Sequence, residues 1–361
     1  MTSHEFLPPL TGDALAHFSR LFTNFAETGT SGDTPLYEHL SRCIADDPYL
    51  LALAAQKLDS QPAPNILFAA VHHLLLGGAD HPLRDYYANL TDPPNADDAF
   101  PAFRDFCQTF HAPLLELIRT HRTQTNEVNR CILLLPGFTA IGKRLNGGEA
   151  HLIELGPSAG LNLNWPYYFY DYGDGMTFGS RNAPVGLAVT QKGSLIPPLP
   201  VDRFPPFEVA GSQGIELHPL DVTRPEDARW LQALVWPEHR ARFDLLARAI
   251  AVAAAHPPTI VAGNALERLP SLLADIPPGV TPIVYHTFVT YQFTVAERQE
   301  LLDVLTAGTR PLYRLSIEWL TEEGTVIELD SFDAGGHSSI KLARCHPHGR
   351  WLEWLDKETA A

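Results

Sequence analysis

The sequence predicts an α/β protein in which a helical N-terminal domain, residues 1–147, precedes a mostly parallel sheet with helices on both faces, residues 148–361. Three observations carry that expectation. Apolar residues recur at helical spacing through the first 145 or so positions; short apolar runs then alternate with helical segments; and the first of those runs ends in a glycine-rich turn. Two domains suit 361 residues, and a composition of 45% hydrophobic and 19% charged residues suits a folded globule.

In the N-terminal region, Leu15, Phe18, Phe22 and Phe25 form one helical stripe and Tyr37, Leu40 and Ile44 another. Asp47-Pro48 opens a further helix, and Gly77-Gly78 closes the run from Asn65 to Leu76. Phe103, Phe106, Phe110, Leu114 and Leu117 mark a stripe that Pro113 should kink or split. A last helix is expected from Thr125 towards Leu145, interrupted near Pro136-Gly137 and ended by Asn146-Gly147-Gly148, the expected domain boundary.

Beyond that boundary, strands are expected at 151–155, 214–217, 259–262, 282–286, 312–317, 325–329 and 340–344. Thr223-Arg-Pro-Glu226 and Thr294-Val-Ala-Glu297 have the capping-box pattern of a helix start. The stripe Phe243, Leu246, Ile250 and Ala253 stops at His256-Pro257-Pro258. The segment at about 166–211 is rich in Pro, Gly and Tyr and is expected to insert a hairpin or lid. Within it, Asp171-Tyr-Gly-Asp-Gly175 lacks calcium-loop spacing and reads as a hairpin turn.

Charge and cysteine usage narrow the function classes. Forty-two acids against 26 bases give a net charge of −16, which repels a phosphate backbone, so no nucleic-acid partner is expected. Cys43, Cys107, Cys131 and Cys345 are widely spaced without C-x-x-C, so neither a disulfide framework nor a zinc site is expected. Cys345-His346-Pro-His348 has no matching second pair of ligands and reads as a polar turn, with no metal expected. Residues 1–10 lack a basic leader and no run reaches membrane length, so the expected location is cytoplasmic and no membrane partner is expected.

The strongest local signal is Glu154-Leu-Gly-Pro-Ser-Ala-Gly160, a strand, glycine turn and helix start in that order. Ser158 and Leu161 stand where a dinucleotide fingerprint needs glycines, which argues against NAD or FAD. The pattern instead resembles motif I of class I S-adenosylmethionine-dependent methyltransferases. The resemblance implies a Rossmann-like, methyltransferase-type sheet, with Glu154, Gly156, Ser158, Gly160 and Asn162 around the cofactor's methionine portion. Glu216, ending a second strand, would accept ribose hydroxyls, although it comes sixty residues after Gly156 where about 20 is usual. Asn264 and Ala265 stand at the family's Gly-Asp-Ala step, with Asn replacing Asp. A bulky residue at Gly160 is expected to block the cofactor's approach.

Further stretches extend the match: Glu127-Val-Asn-Arg-Cys131, Ser158 to Asn162, Tyr170 to Gly175, Asp221-Val-Thr, Ala228 to Pro237, and His346-Pro-His-Gly-Arg-Trp351. Together they resemble a bacterial family known as domain of unknown function 2332, over most of the chain. This resemblance implies a methyltransferase-like fold and brings no assigned reaction. His286, ending the fourth strand, is the candidate catalytic base, since an imidazole can take a proton from a hydroxyl or amine acceptor. Its alternative is a histidine bonded within the fold. Asn126, Glu127 and Arg130 are candidates for the substrate side, or else cap a solvated helix. The expected cofactor is S-adenosylmethionine, and the expected partner a small-molecule or protein acceptor.

Two other readings stay open. Gly156-Pro-Ser-Ala-Gly160 also satisfies G-x-S-x-G, so Ser158 could be a hydrolase nucleophile served by Asp275 or Asp330 and by His337 or His348. A methyltransferase-like domain that binds without turnover is the third.

Overall fold

The computed structural model describes residues 7–30, 32–308, 310–320 and 323–360. The first six residues of the stretch that reads as leaderless lie outside them. Among the described residues, the helices in chain order are α1 (Gly12–Asn24), α2 (Pro35–Ile44), α3 (Pro48–Ala54), α4 (Ala63–Leu76), α5 (Phe100–Thr109), α6 (His111–Thr120), α7 (Cys131–Leu145), α8 (Pro225–Ala233), α9 (Arg240–Ala255), α10 (Ala265–Asp275) and α11 (Val295–Thr306). None is long and apolar enough to cross a membrane. The chain forms two compact units, Met1–Thr125 with Thr223–Ala247, and Asn126–Val222 with Arg248–Ala361. The division thus falls at 125/126 rather than at the glycine pair 147–148, and α7 goes with the sheet, packing on its strands.

The first unit is helical, as its periodicity implies. Asp47 caps α3 by accepting from the Tyr49 and Leu50 amides at 2.9 and 3.0 Å. Gly77 ends α4, and Gly78 takes the left-handed φ of +90° that a tight stop requires. Tyr37 stacks on Phe68 with centroids 4.1 Å apart, and Trp230 of α8 is buried in the same unit with its indole N–H on the Arg122 carbonyl at 2.9 Å. The stripe through Phe110 is split, but at Phe110 itself; Pro113 sits in the first turn of α6, where its missing N–H has no intrahelical acceptor to lose. Helix α8 starts one residue later than the capping-box pattern at Thr223 implies. Arg224 stands at its cap, and the Glu226 carboxylate turns to His73 and Arg229.

The second unit is built on strands β1 (Glu149–Leu155), β2 (Phe169–Asp171), β3 (Thr177–Phe178), β4 (Gly186–Ala188), β5 (Thr190–Lys192), β6 (Glu208–Glu216), β7 (Ile260–Ala262), β8 (Thr281–Thr287), β9 (Leu312–Leu320), β10 (Gly324–Asp333), β11 (Gly336–Cys345) and β12 (Trp351–Trp354). Nine of them form one mixed sheet in the order β5-β12-β11-β10-β9-β8-β1-β6-β7. Strands β7, β6, β1, β8 and β9 are mutually parallel, while β10, β11 and β12 follow β9 as antiparallel hairpins. The run 166–211 supplies a small sheet β3-β2-β4, with the expected hairpin at Asp171–Gly175, and then β5 on the outer edge of β12.

Alternation along the strands separates two faces. Ile153, Leu155, Val284 and Ile215 turn to α10 and α11 and form one apolar core with Leu269 and Leu301. Opposite them, α7 runs without interruption through Pro136, contrary to the expected break, because the carbonyl that Pro136 cannot serve is bonded otherwise: Tyr172 donates its hydroxyl to Ile132 O at 2.5 Å. A Cβ on Gly142 would lie 2.6 Å from the Pro206 carbonyl, so close approach demands glycine there. The helix begins at Cys131 rather than Thr125, after a 3-10 turn at Val128–Arg130.

Candidate functional site

Strand order selects the site. The chain leaves β1 for β6 and β7 on one side, then returns to β8 and β9 on the other, so the connections diverge between β1 and β8. At such a point the loops leaving the two carboxyl ends part and leave a crevice. Here those ends are the turn at 156–160 and Thr287-Phe288. Both carry strained backbone: Ser158 has φ +58° and Phe288 φ +57°, left-handed conformations that cost a non-glycine residue about 1–2 kcal/mol.

The turn is tied down from within. Gly156 N–H extends the ladder to Ile215 O at 2.9 Å. Ser158 N–H donates to Glu216 Oε2 at 2.8 Å, and His218 N–H to Glu216 Oε1 at 3.0 Å. Leu161 N–H donates to Asn126 Oδ1 at 3.2 Å, so side chains take two of the amides expected to face a ligand. The turn leads into a 3-10 segment, Leu161–Tyr167, in place of the expected helix start. Gly156 is exposed, but a Cβ on Gly160 would meet Pro258 at 2.6 Å. Gly160 is therefore a packing glycine with φ +74°, and a bulky residue there would strain the fold instead of blocking a ligand.

Glu154 and Asn162 lie behind the turn and are buried. Glu154 accepts from Tyr285 Oη at 3.1 Å and Asn162 Nδ2 at 3.4 Å, while Asn162 Oδ1 accepts from the Cys131 thiol at 3.3 Å. Burial pushes the Glu154 carboxyl up to about 8, the two hydrogen bonds opposing it. Asn264 caps α10 through the Leu266 N–H at 2.8 Å, leaving Ala265 in the first turn.

His286 is buried at 1% exposure. Its Nδ1 lies 2.8 Å from Glu318 Oε1, which also accepts the Val289 and Thr290 amides at 2.8 and 2.9 Å. Burial would raise the Glu318 carboxyl, but the His286 bond and charge and these amides outweigh it and hold it low. The fourth-strand histidine thus anchors the loop leaving β8, with Nε2 enclosed.

The three substrate-side candidates do gather at this edge. Arg130 reaches Thr287 Oγ1 at 3.3 Å and the Pro347 carbonyl at 3.1 Å, and its guanidinium stacks 4.2 Å from the Phe288 ring. Glu127 Oε2 pairs with His348 Nδ1 at 2.9 Å, and Asn129 Nδ2 donates to the His348 carbonyl at 3.0 Å. His346-Pro-His348 is therefore more than a polar turn: it closes onto residues 127–130, and Gly349 leaves no room for a Cβ against the Asn129 carbonyl. Cys345 is buried, which pushes its thiol up to about 12, and among the described residues no three His, Cys, Asp or Glu side chains converge as metal ligands do.

Sequence reasoning missed Glu318, the half-exposed Trp319 and Tyr291 beside Phe288, and the pairing of Glu127 with His348. The signal available was an acid and an aromatic at the end of a strand. Of the candidate hydrolase partners, Asp330 and His337 bind each other and His348 pairs with Glu127. Asp330 binds His337 at 2.7 Å on β10, three strands from β1 and so roughly 14 Å away at ~4.8 Å per strand. Asp275 ends α10, next to the amino ends of the strands.

A model of the family described as an uncharacterized protein conserved in bacteria (DUF2332) matches residues 19–354. No curated protein matches the chain.

Proposed function

The chain belongs to the bacterial DUF2332 family, whose description names no reaction, and we propose that it binds S-adenosylmethionine between the carboxyl ends of β1 and β8 and transfers the methyl group to a small-molecule or protein acceptor. The supporting observation is the strand order. Counted from the strand that carries the glycine turn, the parallel strands run 3-2-1-4-5, the order of doubly wound nucleotide-binding sheets. Glu216 closes the second of these strands beside the turn although it comes sixty positions after Gly156. Its carboxylate accepts the Ser158 and His218 amides there, so an acceptor of the kind a ribose hydroxyl needs stands at the edge of the turn.

The reading departs from a plain Rossmann-like sheet at β10, which returns as a hairpin without a crossover helix. Methyl transfer is a displacement at a sulfonium carbon, so alignment of donor and acceptor would supply most of the rate. Calorimetry with S-adenosylhomocysteine is expected to give a Kd on the order of micromolar, about −8 kcal/mol, and NAD no heat. Absence of heat with both S-adenosylmethionine and S-adenosylhomocysteine would sink the cofactor assignment.

A further inference from the structure

We propose that Glu127 and His348 form a general-base pair opening on the carboxyl edge of β1 and β8 and serving a hydroxyl or amine acceptor. The Glu127 carboxylate is buried at 5% exposure and lies 2.9 Å from His348 Nδ1. A carboxylate only accepts, so Nδ1 carries the proton and Nε2 keeps the lone pair. The His348 side chain is 34% exposed, and among the described residues its Nε2 has no protein partner. His286 contrasts with it, since its Nε2 is enclosed.

The pair is held rigidly at the crevice. Asn129 holds the His348 backbone, Arg130 holds Pro347 and Thr287, and Asn126 ties the same loop to the start of the segment after the glycine turn. Glu127 is thus a positioning residue and His348 the base.

The step rests on the methyl-transfer reading. As the acceptor oxygen or nitrogen attacks the methyl carbon, the carbon–sulfur bond breaks and its electron pair stays on sulfur, which leaves as a neutral thioether. The acceptor's proton passes to His348 Nε2, Glu127 balances the imidazolium charge, and water later removes the proton.

Diethyl pyrocarbonate acylates a neutral histidine at its free nitrogen, and mass spectrometry reads each site in the full chain at about pH 8. His337, 36% exposed and paired with Asp330, is the internal reference. Glu127→Gln is expected to slow modification of His348 by about fivefold or more, since the carboxylate holds the proton on Nδ1 and so leaves the lone pair on Nε2, and to leave His337 unchanged. Saturating S-adenosylhomocysteine is expected to protect His348 in the wild type and not His337. Both Glu127→Gln and His348→Asn should keep S-adenosylhomocysteine affinity within about threefold, as expected of groups that act on the acceptor.

Three results overturn the proposal: reactivity of His348 indifferent to Glu127, no protection by S-adenosylhomocysteine that calorimetry shows bound, or a large loss of affinity in both variants, which would make the pair a strut. A wild type that binds no S-adenosylhomocysteine refutes the methyl-transfer reading alone. The Glu127 dependence of His348 then decides whether the pair is a base.

Discussion

Glu154 and Glu318 are two buried carboxyls with opposite electrostatics. Glu154 is raised to about 8 by burial from an ordinary 4.5, so between those values the folded protein keeps a proton that the unfolded chain has lost. Its contribution to stability is fully present below about 4.5 and falls as pH rises to about 8. Glu154→Gln removes the titration. The variant should match the wild type in urea near pH 5 and exceed it by a few kcal/mol, as an order of magnitude, near pH 9; a pH-independent difference counts against the buried neutral acid. Glu318 is held low, so its contribution is present above the unfolded value and is lost as pH falls through the depressed one. Glu318→Ala strands two amides and the His286 Nδ1–H, each costing about 1–3 kcal/mol, and His286→Ala should lower the denaturation midpoint as well. A His286→Ala protein as stable as the wild type, with affinity intact and turnover lost, would return the base role to His286.

At the scale of elements, α7 and the glycine turn show how strand and helix positions depend on contacts supplied from far along the chain. Tyr172→Phe removes the hydroxyl that stands in for the Pro136 amide, so the buried Ile132 carbonyl loses its partner, and about 1–3 kcal/mol of stability should go with it. An unchanged denaturation midpoint would mean that the carbonyl finds water. The turn at 156–160 has the strained serine of a nucleophile elbow, while Asp330 and His337 pair with one another on β10 and β11. A fluorophosphonate probe should therefore leave the wild type unlabelled, and stoichiometric labelling at Ser158 would favour the hydrolase reading.

For the whole molecule, the two compact units set which pieces are self-sufficient. Helix α4 is buried nearly all round, and α8 covers it with Trp230 and Leu231 although it lies more than a hundred residues further along. A fragment of residues 1–125 should consequently expose that face and melt without a cooperative transition, whereas a sharp transition would show the first segment to be independent. In the intact chain, S-adenosylhomocysteine at about a hundred times its Kd should stabilise the folded protein by about 2.7 kcal/mol, read as an upward shift of the thermal midpoint.

Local physical chemistry made much of the fold legible in the chain. Periods of 3.6 and 2, the Asp47 cap, the complete box at Thr294 and Glu297 and the glycine stop after α4 depend only on neighbours within one or two turns. The sequence alone therefore determined a helical region, a series of strands and a glycine turn leaving the first of them. Tertiary structure decided what those pieces bring together. Glu127 meets His348 across 221 residues, Glu216 reaches the turn across 58, and Glu318 reaches His286 across 32. Such pairings depend on strand order and register, and an apolar run that will pack on either side of a neighbouring strand carries no record of which neighbour it will have.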